Sequence, residues 1–277
     1  MRIGDHLRGV WVIAYRDLLQ FVGEPVRLIS SFAMPIVFLI IFGAGFNNVI
    51  GPLAQGVDYI KFMYPGIIAM TTLNNSLMSG VSIVWDREFG FLREVLVAPL
   101  SRGSIVFGKV VGTAVISIGQ SVVMLVLAPF IGVDLTVLLV LKLVPILIII
   151  SVAISALGVL IASRMKSQQG FQIVVMVVMM PLTFLSGIFF PVNNVPAWLE
   201  VLSKVNPLTY GVDAVRQVFL AAQQLPAGLP ANIPGAPASM GVTVFGHNMT
   251  VLADTLIVAG LGIILLVLAV VAFSHRD

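Results

Sequence analysis

The sequence predicts an all-α membrane protein with six transmembrane helices, an amphipathic N-terminal helix and a helical segment after the fifth span that can dip back into the membrane. Of its 277 residues, 59% are hydrophobic and 10% are charged, and the mean hydropathy is +1.09. Soluble domains carry about a quarter charged residues, so this chain cannot cover a soluble surface. Six apolar runs are each about long enough to cross the hydrocarbon of a bilayer.

Residues 1–27 are polar and amphipathic. Apolar residues recur at helical spacing from Trp11 onward, and Arg16 lies with the other polar residues, mostly on the opposite side. The pattern favours a helix in the membrane surface, with Trp11 and Tyr15 at the level of the lipid headgroups. An ordinary amphipathic helix packed on protein is the alternative. Pro25 is expected to end this helix.

Lysine and arginine set the predicted orientation. Eleven of them fall in the N-terminal segment, the charged block of residues 85–109, the loop between spans 4 and 5 and the tail, against four on the other side. This bias predicts that both termini lie in the cytoplasm of a multi-pass cell-membrane protein, and an even number of spans agrees with it. The predicted spans are residues 28–46, 59–84, 105–131, 137–162, 171–190 and 251–273.

The segment between spans 2 and 3, residues 85–104, holds a dense cluster of charge in an otherwise apolar chain. Such a cluster must lie in water, and we interpret the segment as a cytoplasmic loop on which a separate soluble partner docks. The partner would supply the energy, and the spans would move a substrate. The candidate coupling residues are Asp86, Arg87, Glu88, Phe91, Arg93 and Glu94.

The sequence from Gly103 to Lys109 fits the GxxxxGK pattern of a phosphate-binding loop. The next residue is Val110, where such a loop needs Ser or Thr, and the motif opens a membrane span instead of following a buried strand. We therefore expect Lys109 to anchor span 3 at the inner membrane interface. Gly108 and Gly112 form a small-xxx-small pair that allows close helix packing.

The chain offers no catalytic or metal-ligating constellation in its sequence. It has no cysteine, its three histidines are isolated, and its acidic residues fall at or outside the ends of the predicted spans. We therefore predict a non-catalytic chain that binds no metal or cofactor, and the basic loops account for its net charge of +3 without nucleic-acid binding. Intramembrane acids or bases are usual in proton-driven transporters, so an ion gradient is not the expected energy source.

Two predicted spans carry polar or pliable side chains along one helical face. Polar groups that face lipid are costly, so these faces are expected to look into protein or a cavity. A translocation path and hydrogen bonding between packed helices both explain the pattern. The candidate path residues are Thr72, Asn75 and Ser79 in span 2 and Gln172, Met176, Met179 and Thr183 in span 5.

Residues 191–250 form the predicted extracytoplasmic segment. Residues 196–205 and 209–222 have amphipathic spacing and predict two short helices. Asn206 followed by Pro207 is typical of a helix N-cap and first helical position.

Two motifs carry a resemblance to the permease subunits of ABC-2-type exporters, close to the daunorubicin-resistance branch. They are REFGFLREVLVAPLSRGSIVFGKV at residues 87–110 and NPLTYGVDAVRQVF at residues 206–219. The resemblance extends from about residue 10 to the end of the chain. Residues 225–247 differ from the family, because they are longer and richer in proline and glycine.

The resemblance implies the architecture of a type V ABC exporter, in which two permeases pair in the membrane and two separate ATPase subunits dock beneath them. ATP and Mg would then be bound by the partner ATPase. Residues 11–21 and 86–99 would contact that ATPase, spans 2 and 5 would line the central path, and the segment after span 5 would cap it as a re-entrant element.

The expected function is ATP-driven export of amphipathic drugs or lipids. Export of a polysaccharide or a lipid-linked glycan is one alternative. A membrane scaffold, or an enzyme without a recognisable motif, is the other.

Overall fold

The computed structural model describes residues 3–50, 59–89, 102–189, 192, 195–223, 242–244 and 247–274, most of which are α-helical. One short antiparallel hairpin, β1 (Thr243–Val244) and β2 (His247–Asn248), precedes the last helix. The helices are α1 (Ile3–Gly23), α2 (Pro25–Ile50), α3 (Tyr59–Leu77), α4 (Val81–Glu88), α5 (Arg102–Leu127), α6 (Val137–Arg164), α7 (Gln168–Phe184), α8 (Ala197–Val205), α9 (Pro207–Ala222) and α10 (Val251–Ser274).

Four spans of the described chain are long and apolar enough to cross a membrane. A fifth is added if α1 and α2, which bend by 72° at their junction, are counted together. The prediction of six spans is therefore not confirmed as a count. The four are residues 60–88, which join α3 and α4, then 103–131, 137–164 and 251–273.

The predicted fifth span is shorter in the structure than in the sequence interpretation. Helix α7 has 17 residues, which corresponds to about 26 Å at 1.5 Å per residue, against about 30 Å of hydrocarbon. Pro181 lies in its last turn. The chain then turns at Gly187, whose φ of 78° suits a residue without a side chain.

The predicted helix boundary near Pro25 is confirmed. Helix α1 ends at Gly23, and α2 begins at Pro25, where a missing N–H costs nothing in the first helical turn. The predicted loop 85–104 is helical at both of its described ends, because α4 continues to Glu88 and α5 begins at Arg102. Residues 90–101 lie outside the described residues.

Close packing of α1 on α5 depends on the two predicted glycines. A Cβ on Gly108 would lie 2.8 Å from the Ile13 side chain, and one on Gly112 would lie 3.0 Å from the Ala14 backbone. The small-xxx-small interpretation of this pair is therefore confirmed, and the helix that it admits is α1.

A second close approach joins the break between α3 and α4 to α6. The backbone forms a 3-10 turn from Met78 to Gly80 at this point. A Cβ on Gly80 would lie 2.4 Å from the Gly158 carbonyl oxygen, and one on Gly158 would lie 2.4 Å from the Leu77 carbonyl oxygen. No real Cβ approaches a carbonyl so closely, so both positions require glycine.

We expect Gly158→Ala to destabilise the chain by about 1–3 kcal/mol, the usual cost of overpacking. The matched control is Gly119→Ala in α5, where a Cβ would meet nothing within 4 Å. The control should stabilise its helix by up to about 1 kcal/mol through better helix propensity. Thermal unfolding of the two detergent-solubilised variants measures both effects. Equal midpoints would contradict the packing described for Gly158.

Helices α8 and α9 cover one end of the bundle, and we call this the capped end. The predicted N-cap is confirmed, since the Asn206 side chain accepts a hydrogen bond from the Leu208 N–H at 3.0 Å and Pro207 is the first helical residue. Helix α8 buries Ser203 and exposes its apolar side chains, including Trp198 (65%) and Val205 (75%). Such a face suits contact with lipid.

Candidate functional site

The end of the bundle opposite the cap, which we call the charged end, holds an ion-pair network between α1, α4 and α5. The Arg16 guanidinium lies 2.9 Å from Asp86 Oδ2, and the Lys109 ammonium lies 2.8 Å from Asp17 Oδ1. Lys109 is also 4.0 Å from Asp86 and donates to the Ser82 hydroxyl at 2.7 Å. These four ionic side chains bind the N-terminal helix to the bundle.

Lys109, which was expected to anchor span 3 at the inner membrane interface, forms an ion pair with the N-terminal helix. Its side chain is 2% exposed and is enclosed by α1 and α4. Arg16, which the sequence places with the polar residues of α1, directs its guanidinium to Asp86 of α4. Each of the two cations contacts a carboxylate on another helix, and for the enclosed Lys109 this contact satisfies a charge that the interior would otherwise penalise.

Two neighbours of Asp86 connect α4 to the turn between α6 and α7. The Arg87 guanidinium lies 2.7 Å from the Met165 carbonyl oxygen and within 3.4 Å of two further carbonyl oxygens at the C-terminal end of α6. The Glu88 carboxylate accepts the Gln168 N–H at 2.8 Å. A cation therefore lies at the C-terminus of one helix and an anion at the N-terminus of another. Each charge is opposite in sign to the partial charge of the helix end that it contacts, so both contacts are stabilising.

Three consecutive side chains at the end of α4 thus contact three different helices. Asp86 holds α1, Arg87 holds the end of α6, and Glu88 holds the start of α7. In this arrangement they join parts of one chain, whereas the sequence interpretation assigned them to a free docking surface. The other three predicted coupling residues, Phe91, Arg93 and Glu94, lie outside the described residues.

The predicted interfacial residues of α1 lie on its outer face. Trp11 is 69% and Tyr15 is 51% exposed, and their rings stack with centroids 6.3 Å apart. The opposite face, with Ile13 and Ala14, is buried. One face of α1 therefore packs on protein, while the other presents aromatic side chains. The alternative of a helix packed on protein describes the first face, and the exposed aromatic side chains suit the alternative of a helix in the membrane surface.

The predicted polar face of span 2 is used for helix packing at two of its three positions. The Thr72 hydroxyl shares a hydrogen bond with Ser121 of α5 at 2.7 Å, and Ser79 donates to the Ser155 carbonyl of α6 at 3.0 Å. Ser76, which the spacing argument missed, lies between them and contacts Ser117 at 3.1 Å and Ser151 at 2.9 Å.

A cavity of about 460 Å³ lies between α1, α2, α3, α4, α5 and α7 on the charged side of the bundle. Cavities that bind drug-sized molecules have volumes of about 300–1,000 Å³. Three of the predicted path residues line it, namely Asn75, Ser79 and Gln172. The structure thus brings part of the span 2 face and the start of the span 5 face to one polar cavity.

The remaining path candidates do not line this cavity. Thr72 is fully buried in the α3–α5 contact. Met176 is 66% exposed, Met179 is half-buried, and Thr183 is buried near the end of α7. The face of α7 continues toward the capped end as a mostly exposed surface of this single chain.

A buried polar cluster at the capped end was also missed by the sequence interpretation. The Gln217 amide donates to Asp213 at 2.9 Å and to Asp254 at 3.0 Å, which holds the two buried carboxyl groups together between α9 and α10. Burial raises the pKa of Asp213 above its ordinary value. Arg216, also buried, donates to the Gly187 carbonyl at 2.5 Å and fixes the turn after α7.

The sequence is similar to those of known transport permeases. The family model for the ABC-2 type transporter matches residues 8–220 of the chain. A putative transport permease, ycf38, of Cyanophora paradoxa is 32% identical over 77% of this chain and 74% of its own length. The inner membrane transport permease YadH of Escherichia coli K12 is 27% identical over 79% and 85%, respectively.

A third relative bears a more specific name. The probable multidrug ABC transporter permease YbhR of Escherichia coli K12 is 33% identical over 59% of this chain and 45% of its own length. The matched family segment contains most of α1, the residues that line the cavity and most of α9. This chain belongs to the ABC-2 type transporter family and is a membrane protein of the transport-permease kind.

Proposed function

We propose that this chain is the membrane-spanning subunit of an ATP-driven exporter that moves amphipathic drugs or lipids out of the cytoplasm or the inner leaflet. ATP and Mg are bound and used by a separate ATPase subunit. Two copies of the permease and two copies of the ATPase form the transporter. The chain lies in the cell membrane with its charged end and both termini in the cytoplasm.

The observation that carries this proposal is the set of contacts made by Asp86, Arg87 and Glu88. They lie at the start of residues 86–99, which the family resemblance assigns to the ATPase contact. A displacement of that segment acts at once on α1, α6 and α7 because each of the three side chains holds one of them. A ligand-driven change needs such differential contacts in two states, and nucleotide closure in the ATPase supplies the difference.

The cavity is the proposed binding space for the substrate, and the movement of α4 would change its shape. It is lined by residues of α4 and α7 as well as α1 and α2, so a shift of α4 relative to those helices changes its shape. The name of the multidrug permease relative favours a drug-like substrate over a glycan. Placement close to the daunorubicin-resistance branch belongs to the same proposal and rests on the two motifs given above.

Charge reversal at Arg93 and Glu94 tests the docking assignment. We expect Arg93→Glu and Glu94→Lys each to uncouple ATP hydrolysis from transport while membrane insertion stays intact. The measurement is substrate transport per ATP hydrolysed in vesicles that contain the permease and its ATPase. Normal transport by both variants would show that this segment is not the docking site.

Asn75→Leu tests the role of the cavity. Asn75 is half-buried and lines the cavity, and among the described residues its hydrogen bond stays within its own helix, to the Thr71 carbonyl at 3.0 Å. The variant should therefore shift the relative transport of polar and apolar drugs several-fold while the ATPase still co-purifies. Loss of folding, with no assembled transporter, would assign Asn75 to packing instead.

A further inference from the structure

The two carboxyl groups of the capped end, Asp213 of α9 and Asp254 of α10, form a cluster that the proposed function does not use. The Asp213 residue is 2% exposed and Asp254 is 0% exposed. The Gln217 amide nitrogen donates to Oδ2 of both carboxyl groups, at 2.9 and 3.0 Å. Two carboxyl groups that share a single donor group must lie close together, and here they do so in the interior of the chain.

The charge beside this pair balances only one of its two carboxylates. Arg216, which is also buried, is the cation that acts on Asp213 among the described residues. Its guanidinium donates to the Gly187 carbonyl and lies 4.2 Å from the centre of the Phe62 ring. If both carboxyl groups were ionised, the cluster would hold a net negative charge in the interior, which is strongly unfavourable.

Each of the two carboxyl groups has one oxygen that finds no donor within the described chain. The Oδ1 atoms of Asp213 and Asp254 are both enclosed, and neither accepts a hydrogen bond there. In contrast, Oδ2 of Asp213 accepts from Gln217 and from the Val242 N–H at 2.8 Å. A proton between the two groups would let one carboxyl group donate and the other accept, which removes this deficit of donors.

A metal ion fits the cluster less well than a proton. Calcium and magnesium bind about six or more oxygen atoms, whereas the neighbours of the pair are the Gln217 amide nitrogen and the Val242 N–H, which are donors. Within the described ranges, no group of three or more histidine, cysteine, aspartate or glutamate side chains could hold a metal ion. A proton needs only the two carboxyl oxygens that are present.

Other titratable groups around the capped end do not supply the missing charge. The charges that act on Asp213 and Asp254 in the described chain are those of the two carboxyl groups themselves and of Arg216. The Tyr210 hydroxyl donates to the Lys204 carbonyl at 2.7 Å. The remaining titratable groups of the elements around the pair are Lys61 and Tyr64 of α3, exposed Lys142 of α6, the ion pair of Glu200 with Lys204 in α8, and exposed His247 of β2.

We propose that Asp213 and Asp254 form a proton-binding site, in which one proton held between the two carboxyl groups joins α9 to α10. With the proton bound, one carboxyl group donates to the other, and the cluster with Arg216 is neutral. Release of the proton leaves two like charges at one helix contact and weakens the capped end. Because Gln217 and Val242 both donate to Asp213, the ionised form suits Asp213, and Asp254 is the group that donates.

Infrared spectroscopy of the full chain in a detergent without ester groups detects a protonated carboxyl group directly. At neutral pH the wild type should show the absorption of a buried protonated carboxyl group. Asp254→Asn should lose it, because the amide replaces the proton donor and Asp213 is then ionised. Asp213→Asn gives the same readout if the first variant does not fold. A wild-type spectrum without this absorption, or an absorption that the variants retain, would overturn the proposal.

The pH dependence of stability is an independent readout. Burial raises the pKa of Asp213, so the folded chain keeps a proton that the unfolded chain releases above about pH 4. Stability therefore falls as the pH rises through the folded-state pKa of the pair. The thermal unfolding midpoint of the wild type should fall by several degrees between about pH 6 and about pH 9, and Asp254→Asn should show about half of this decrease or less. An equal decrease in the variant would contradict the site.

Asp134→Asn is the matched control. Asp134 is exposed in the turn between α5 and α6, and its hydrogen bonds with Gln223 are made by its backbone. This variant should keep the infrared absorption and the pH dependence of the wild type. If it loses the pH dependence as Asp254→Asn does, the effect is one of net charge and the assignment is overturned.

Replacement of sodium by a large organic cation, at constant pH and ionic strength, separates a proton from a metal cation. The unfolding midpoint should not change, and a midpoint that falls without sodium would overturn the proton assignment in favour of a bound metal cation. These measurements use the permease chain without an ATPase. Their failure and the failure of the proposed transport function are therefore separate results.

Discussion

Replacing Arg87 by methionine should lower substrate transport per ATP hydrolysed about tenfold while the permease still folds and still binds its ATPase. Arg87 joins the end of α4 to the carbonyl groups at the end of α6, with its closest contact at 2.7 Å. Methionine keeps most of the apolar stem and removes all the donors. The tenfold effect corresponds to a lost coupling free energy of about 1.4 kcal/mol, within the usual range for linked sites.

Lys166→Met is the control for Arg87→Met. Lys166 is an exposed cation in the same turn between α6 and α7, so its removal changes the local charge equally. The control should keep the wild-type ratio of transport to ATP hydrolysis. If both variants keep that ratio, Arg87 does not transmit movement. If both lose it equally, the effect is one of charge at this surface.

Replacing Lys109 by methionine should destabilise the chain by up to about 3–5 kcal/mol, because it leaves the largely enclosed Asp17 carboxylate without its closest cation. Lys109 is 2% exposed, and its ammonium contacts Asp17 and Ser82 at 2.8 and 2.7 Å. The variant should show a much lower thermal unfolding midpoint in detergent, and α1 should become sensitive to proteolysis because its ionic contact with α5 is lost.

The double variant Asp17→Asn with Lys109→Met separates charge from packing. Removing both partners leaves no uncompensated charge on this pair, so the double variant should be more stable than Lys109→Met alone. A double variant that is as unstable as the sum of the two single variants would show that Asp17 and Lys109 contribute independently, which contradicts the ion pair.

The sequence was sufficient for features that depend on neighbours along the chain. The N-cap at Asn206 and the break before Pro25 follow from local backbone chemistry, and both are found. The packing role of Gly108 and Gly112 follows from their spacing of one helical turn. These predictions needed no knowledge of the partner helix, which is why the glycine pair was identified while its partner, α1, was not.

Features that depend on distant residues could not be predicted in the same way. Asp17 and Lys109 are 92 positions apart, and helical spacing says which face a side chain occupies but not what lies opposite. Asp86 and Arg87 were therefore assigned to a water-exposed loop, although their partners are on other helices. Ser76 was missed because it falls beside the regular polar face, and only the packing of α5 and α6 reveals its two hydroxyl contacts.

The short fifth span has a similar explanation. The apolar run from residue 171 to 190 predicts a full span, but apolar composition alone does not show where the chain turns. Arg216 of α9 binds the carbonyl of Gly187, and that contact fixes a turn inside the apolar run. The end of the helix is thus determined by a residue of α9 that follows it by about thirty positions.

The most direct test of the central claim is purification of the chain from its native membrane in mild detergent, followed by identification and quantification of the proteins that remain bound. The account predicts an ABC ATPase subunit in near-equimolar amount with the permease. Recovery of the intact permease without any ATPase, under conditions that preserve other membrane complexes, would contradict the account, because the contacts at the charged end would then have no partner that uses ATP.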